Sequence, residues 1–433
     1  WLSEKDIQNL IPAFLMGGWN GDIEGDKTVV ELLTGLKYED YIQVISKWLN
    51  IEDAPLFQVF NIYQIVSVQD MWTFLYESLT YEQLRRFRKC AIMILATENP
   101  KFELPEEQWS IAPILGKSQK YSGILCEGMT ISLILLSEQR ERENNCNIIS
   151  AKDYVYSLVG EIFNSINTWK QWNTLTPLMT HLAEASPAAF LEKMEQEIAN
   201  EQSEIWNLFK PAKDIFMGSN YYTHILLALE YLVWYKSYAV RAIILLVKIN
   251  EKNFKDTLTN SPIDNLYNIF CLWYPQSCLN CKERIELIKR ICKIYPNTGE
   301  LLISKLMPTG RSSCWSIQKP RWHSFEVEFQ EGVTRQDYFL TLQAISDIML
   351  NNAVTMSQWN TIIKNSELFF SINVPWLASL EEYCKHLSEN EKNEISSMLR
   401  SEISRNRKFC NSDWAIPEKF LKEMEAVLKQ LTP

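Results

Sequence analysis

Glycine is scarce in this chain: 13 of 433 residues, about 3% where roughly 7% is ordinary usage. Strands joined by tight turns consume glycine, so the shortage points to helices. Positive charge is also short, since 43 Lys and Arg face 53 Asp and Glu for a formal charge of -10. That global field repels phosphate backbones, and any contact with nucleic acid must come from a local basic patch. No apolar run is clean enough to span a bilayer. The longest, Tyr221 to Ile249, is broken by Glu230, Lys236 and Arg241 and reads as a buried helical hairpin, which excludes a membrane role.

Catalytic signatures are missing too. No His-Glu-x-x-His, Gly-x-Ser-x-Gly or Gly-x-Gly-x-x-Gly occurs. Gly116-Lys117-Ser118 ends like a P-loop, but Ile111 stands where the first glycine belongs and no buried strand precedes it, so the amides cannot be aimed at phosphate. His181, His224, His323 and His386 are scattered, with no acid or cysteine at catalytic or metal spacing. His181 and His224 lie in apolar helical runs and read as hydrogen-bonded core or interface imidazoles. The ten cysteines mostly sit in apolar, helix-period segments, as small hydrophobes do in a reducing compartment, here the cytoplasm. Cys278 and Cys281 are the one tight pair. With Cys271 and Cys292 they allow a zinc site or, more plainly, a helix start with unligated thiols. The expectation is no catalytic residue, no cofactor and no metal.

What is present is ample core material. Hydrophobic residues make up 46% and charged residues 22%, a globular composition, and the length suits about two to four folding units. Lys5 to Leu15 reads as a helix stopped by Gly17-Gly18. Asp26 precedes Thr28 to Leu33, Gly35 breaks the run, and Tyr38 to Leu49 resumes it. Two short helices around a glycine turn, followed by a β-rich stretch with Phe57, Val59, Tyr63 and Ile65, predict a winged helix over Asp26 to Ser67. Its second helix and surroundings carry Lys37 and Lys47 against Glu39, Asp40, Glu52 and Asp53, a balance that favours a packing or protein-contact role over DNA reading.

From Ser67 onward helix follows helix. Starts are marked at Thr80 with Gln83, Ser150 with Asp153, Ser186 with Pro187, Asn297 with Glu300, Thr334 with Asp337 and Ser388 with Glu391. No fixed repeat period emerges. The expected fold is all-α: an irregular α-solenoid of stacked helical hairpins behind a small winged-helix-like unit. Breaks near Glu98 to Pro113 and Pro308 to His323 divide it into residues 1–100, 101–307 and 308–433. Many tryptophans, Trp72, Trp172, Trp359 and Trp376 among them, are expected to wedge between helices.

The second break inverts the local charge. Between Glu300 and Glu326 stand Lys305, Arg311, Lys319 and Arg321 and no carboxylate. Arg311, Lys319 and Arg321 can converge on an anion, with Ser312 and Ser313 donating hydroxyls, Trp315 and Trp322 stacking, and His323 closing the segment. Phosphate, nucleotide or an acidic protein surface fits that set. A loop that pins one hairpin to the next fits it as well.

Several stretches carry a resemblance. They are Met16-Gly-Gly-Trp19; Glu184 to Leu191; Phe216 to Tyr222 running into Leu226 to Glu230; Pro262 to Leu266 running into Trp273 to Gln276; and Leu306 to Gly310 through Lys319 to Trp322. Together they resemble the region that follows the nucleotide-binding module in large bacterial STAND-type NTPases of antiviral defence. In such proteins an effector, a P-loop NTPase, a winged helix and a helical-repeat sensor follow in that order. The resemblance implies that this chain, which opens on Trp1, is a noncatalytic sensor region of a longer polypeptide. It would bind a protein trigger or act on the upstream NTPase domain; a nucleic-acid-binding regulatory module is the alternative.

Overall fold

The computed structural model describes residues 3–139, 150–210, 221–253, 260–308, 312–322 and 333–431. The described residues are mostly helical, with one small three-stranded sheet among them. It divides into two compact units: Trp1–Asn265 with Ile317–Val327, and Leu266–Ser316 with Glu328–Pro433. Among the described residues no helix is long and apolar enough to cross a membrane.

The first unit opens with α1 (Glu4–Met16), where Ser3 accepts a hydrogen bond from the Asp6 amide and acids fill the first turn. Gly17, at φ 67°, ends it by returning its N–H to the carbonyls of Ala13 and Phe14. There follow β1 (Gly18–Asn20), α2 (Glu24–Thr34), α3 (Tyr38–Ile45), β2 (Leu56–Val59) and β3 (Ile62–Ile65). The strands pair antiparallel in the order β1-β3-β2, and register sets Trp19 opposite Tyr63. Those two rings stack with centroids 5.0 Å apart and 7° between their planes, closing the sheet onto α1 and α3. Gly35 takes the left-handed conformation at the end of α2, as the sequence pattern requires.

Asp26 departs from expectation. α2 begins two residues earlier, at Glu24, with no side-chain cap, so Asp26 lies inside its first turn and is fully buried. Its carboxylate accepts from the Asn20 amide (2.8 Å), the Ser122 amide (2.9 Å) and the Ser122 hydroxyl (2.5 Å). It therefore ties the end of β1 to the start of a helix distant in sequence. Burial holds the Asp26 carboxyl above the usual carboxylate range, against the pull of those donors.

The helices that follow are α4 (Val68–Leu75), α5 (Tyr81–Leu95), α6 (Gly123–Ser137), α7 (Ala151–Asn164), α8 (Trp169–Leu175), α9 (Met179–Ala185), α10 (Pro187–Ala199), α11 (Thr223–Leu232) and α12 (Ala239–Glu251); α13 (Pro262–Phe270) begins in this unit, and its residues from Leu266 on are counted with the second. α6 is apolar on nearly every face and is covered by α1, α7 and α9, while α9 packs on α11 and α10 on α7 and α12. The Tyr221 to Ile249 stretch is the hairpin α11–α12. Thr80 with Gln83 and Ser150 with Asp153 cap α5 and α7 as the spacing predicts. Ser186 does not cap with its side chain: α9 ends at Ala185 and α10 starts at Pro187, so one residue serves both helices.

The second unit holds α14 (Cys281–Ile294), α15 (Pro296–Leu306), α16 (Arg335–Asn351), α17 (Met356–Lys364), α18 (Ser366–Ser371), α19 (Trp376–Cys384), α20 (Glu389–Lys408) and α21 (Glu418–Leu431). Asn280 with Glu283, Thr355 with Gln358 and Ser388 with Glu391 form reciprocal capping boxes, each worth about 1 kcal/mol. Asn297 is not a cap, because proline at 296 opens α15 and places Asn297 inside its first turn. Trp359 and Trp376 are fully buried here, as Trp72 and Trp172 are in the first unit.

Candidate functional site

The basic segment is an extended strap. Residues 317–322 belong to the first unit and are held there mainly through their backbone. The Gln318 amide donates to Glu230 Oε2 at 3.1 Å, and the Gln318 carbonyl accepts from Trp234 Nε1 at 2.9 Å. The Trp322 amide donates to Glu184 Oε1 at 2.6 Å. Both acids sit on helices, Glu184 on α9 and Glu230 on α11, and both are buried. A buried carboxylate oxygen that accepts a backbone N–H is satisfied without a cation.

Glu230 has a second donor, Asn265 Nδ2, at 2.6 Å. Burial nevertheless pushes its carboxyl up, with the Gln318 and Asn265 hydrogen bonds opposing, to about 7. A group whose folded value lies above its ordinary 4.5 contributes stability that is full below that value and is lost as pH rises through about 7. Glu230→Gln removes the titration and keeps an amide oxygen to accept from the Gln318 amide. The wild type should therefore lose about 2–3 kcal/mol relative to Glu230→Gln between about pH 5 and pH 8. Urea denaturation of both proteins at the two pH values checks this, because all other titrations cancel; a pH-independent difference contradicts it.

The side chains of the strap go separate ways. Lys319 Nζ lies 4.6 Å from the centre of the Trp234 ring, and the Arg321 guanidinium lies 5.3 Å from that of Trp322. Arg321 and Trp322 also line a cleft of about 590 Å3 with Ser67, Gln69, Glu127 and Gly128. Beyond Glu127, His181 Nδ1 meets Thr130 Oγ1 at 3.0 Å. The Thr130 hydroxyl also lies 2.8 Å from the Glu127 carbonyl, so its one proton is shared between that oxygen and the His181 ring nitrogen. Burial depresses the His181 imidazole below its usual value, Glu127 and Glu184 oppose that, and Arg321 adds to it. His181 is thus a neutral, hydrogen-bonded imidazole at the rim of the α6–α9 interface.

Residues 312–316 belong to the second unit. Ser312 is half-buried and Ser313 exposed. Trp315 is 77% exposed, while its amide donates to Asn268 Oδ1 at 3.1 Å and its carbonyl accepts from Gln276 Nε2 at 2.7 Å. Arg311 and His323 lie outside the described residues. Of the eight residues singled out from the sequence, Arg321 and Trp322 come together in one cleft, Lys319 turns to Trp234, and Trp315 stands in the other unit. Among the described residues no three His, Cys, Asp or Glu are grouped to hold a metal ion. Lys117, from the P-loop-like tripeptide, pairs with Glu103.

Sequence reading missed the two acids that seat the strap. Glu230 left a trace, as the lone carboxylate in an apolar stretch, which marks a buried acid with a dedicated partner. Glu184 left none, since it looks like an ordinary helix-end glutamate. No family model matches the chain, and no curated protein matches it significantly.

Proposed function

We propose that this chain is the noncatalytic recognition region of a larger, cytosolic bacterial STAND-type NTPase of antiviral defence, which binds a protein trigger or regulates the upstream NTPase. In this reading α1 to β3 form a winged helix turned to protein contact, and the helices after it an irregular α-solenoid. The order α1, β1, α2, α3, β2, β3 is a helix-turn-helix closed by a hairpin, the wing. Successive packing of α6, α9 and α11, and of α7, α10 and α12, supports stacked hairpins within the first unit.

One observation carries the reading. The wing presents Phe57, Val59 and Phe60 to solvent, Phe60 at 89% exposure, and α3 opens with Glu39 and Asp40. Apolar and acidic surface is wrong for a phosphate backbone and right for a protein. In bacteria carrying the full reading frame, Phe60→Asp should cut protection against infecting phage at least about tenfold, the equivalent of roughly 1.4 kcal/mol of contact, without lowering the melting temperature. Unchanged protection would sink the wing's role. A labelled DNA duplex tests the alternative of a nucleic-acid module using the winged helix or the strap: binding that weakens steeply between about 50 and 200 mM salt would support it.

A further inference from the structure

Lys101 is the second residue of a short 3-10 turn, Pro100–Glu103, where Asn99 Oδ1 accepts from its amide at 3.0 Å. Its side chain runs onto a cluster of aromatic rings within the first unit. Lys101 Nζ lies 4.9 Å from the centre of the Phe102 ring, 5.5 Å from that of Trp109 and 6.0 Å from that of Tyr221. The walls are held by contacts of their own. Phe102 is buried, its ring centre 5.0 Å from that of Trp109, edge to face, and 5.2 Å from that of Trp169. Trp109 Nε1 donates to the Leu104 carbonyl at 3.0 Å. The acids close by in sequence are taken, Glu98 by Lys170 and Glu103 by Lys117. Among the described residues Lys101 Nζ has neither a carboxylate nor a hydrogen-bond acceptor. An ammonium so placed has given up water for ring faces alone. Burial lowers its pKa from the ordinary value, so more of it stands as free amine than on an exposed lysine.

We propose that Lys101 is a methylation site, and that its methylated ammonium is the cation for which Phe102, Trp109 and Tyr221 form the cage. Each methyl group replaces an N–H that no protein acceptor serves with apolar surface that packs on a ring, and the positive charge stays. A cage whose rings are already fixed gains that contact without ordering cost. The donor is a methyl sulfonium compound, brought by a separate methyltransferase. Lys101 first releases a proton to water, and the lone pair of Nζ attacks the methyl carbon. The C–S bond breaks, its electron pair stays on sulfur, and the sulfonium leaves as a neutral thioether while the charge passes to nitrogen. Loss of a further proton readies Nζ for the next methyl. Lys101 is half-buried and not enclosed, so the donor reaches it. Neither the cage nor the transfer depends on the sensor role.

Two measurements test this. In the full chain isolated from the cells that make it, peptide mapping by mass should find methyl groups on Lys101 and none on exposed Lys37; Lys101 found only unmethylated overturns the site. The cage is tested on purified protein, dimethylated at its lysines with formaldehyde and dimethylamine–borane. Lys101→Arg keeps a cation over the rings but takes no methyl group, and every other lysine reacts alike in the two proteins, so the difference between their methylation-induced shifts belongs to Lys101. The wild type should gain about 2 °C in melting temperature over Lys101→Arg. Trp109→Leu, which keeps bulk and removes a ring face, should erase that gain. Equal shifts in the wild type and Lys101→Arg, or a gain that survives Trp109→Leu, would overturn the cage.

Discussion

Asp26→Ala should destabilise the first unit by about 3–5 kcal/mol, the range for removing one partner of a buried charged network. The size follows from what is left behind. Alanine removes an acceptor shared by the Asn20 amide, the Ser122 amide and the Ser122 hydroxyl. Each donor stranded without water costs about 1–3 kcal/mol. Ser122 also caps α6 by accepting from the Leu125 amide at 3.1 Å, so a displaced Ser122 loosens that helix start as well. Urea denaturation gives the loss directly. Asp26→Asn separates shape from charge: it keeps one acceptor, and burial penalises the aspartate charge itself, so its cost should be smaller at neutral pH than that of alanine. A loss under about 1 kcal/mol for Asp26→Ala would mean that water reaches the abandoned donors.

The contrast between Asp26 and its neighbours shows where sequence reading stops. Gly17, Gly35, Thr80, Thr334 and Ser388 act within four residues of their own position, and their pattern announces helix ends correctly. Where a local rule offered two answers it failed by a residue or two, as at Asn297, because proline at 296 had already fixed the start of α15. The hairpin β2–β3 was visible from its apolar alternation. β1, three residues with glycine at its head, was not, since its pairing with β3 is set by the stacked Trp19 and Tyr63 rings. The strap was found by its charge, but what it does in the fold is decided by backbone amides reaching Glu184 and Glu230, which composition cannot register. The approach of Cys314 to the Asn268 and Tyr274 carbonyls is of the same kind. It joins a helix end to an extended segment with no periodicity between them.

Gly128→Ala is the second large expected effect, and it tests how α1 meets α6. A Cβ at 128 would stand 2.1 Å from the Met16 carbonyl oxygen, and one at Gly17 would stand 2.8 Å from the Gly128 Cα. The obstructing atoms are backbone, so no rotamer relieves the clash and the two helices must part. Overpacking of a fixed interface costs about 1–3 kcal/mol and more where the backbone itself must move, so a loss of about 3 kcal/mol or greater is expected. Moving α1 also strains the hydrogen bond from Ser132 to the Phe14 carbonyl, 3.3 Å long, further along the same interface. Gly160 supplies the opposite sign. It lies inside α7, nothing stands within 4 Å of an added Cβ, and alanine there should raise stability by about 0.5–1 kcal/mol through helix propensity alone. Thermal or urea unfolding of the two variants side by side decides the matter. If both shift the same way, the tight approach of Met16 and Gly128 is not what sets the position of α1, and Gly17 ends that helix for its backbone conformation alone.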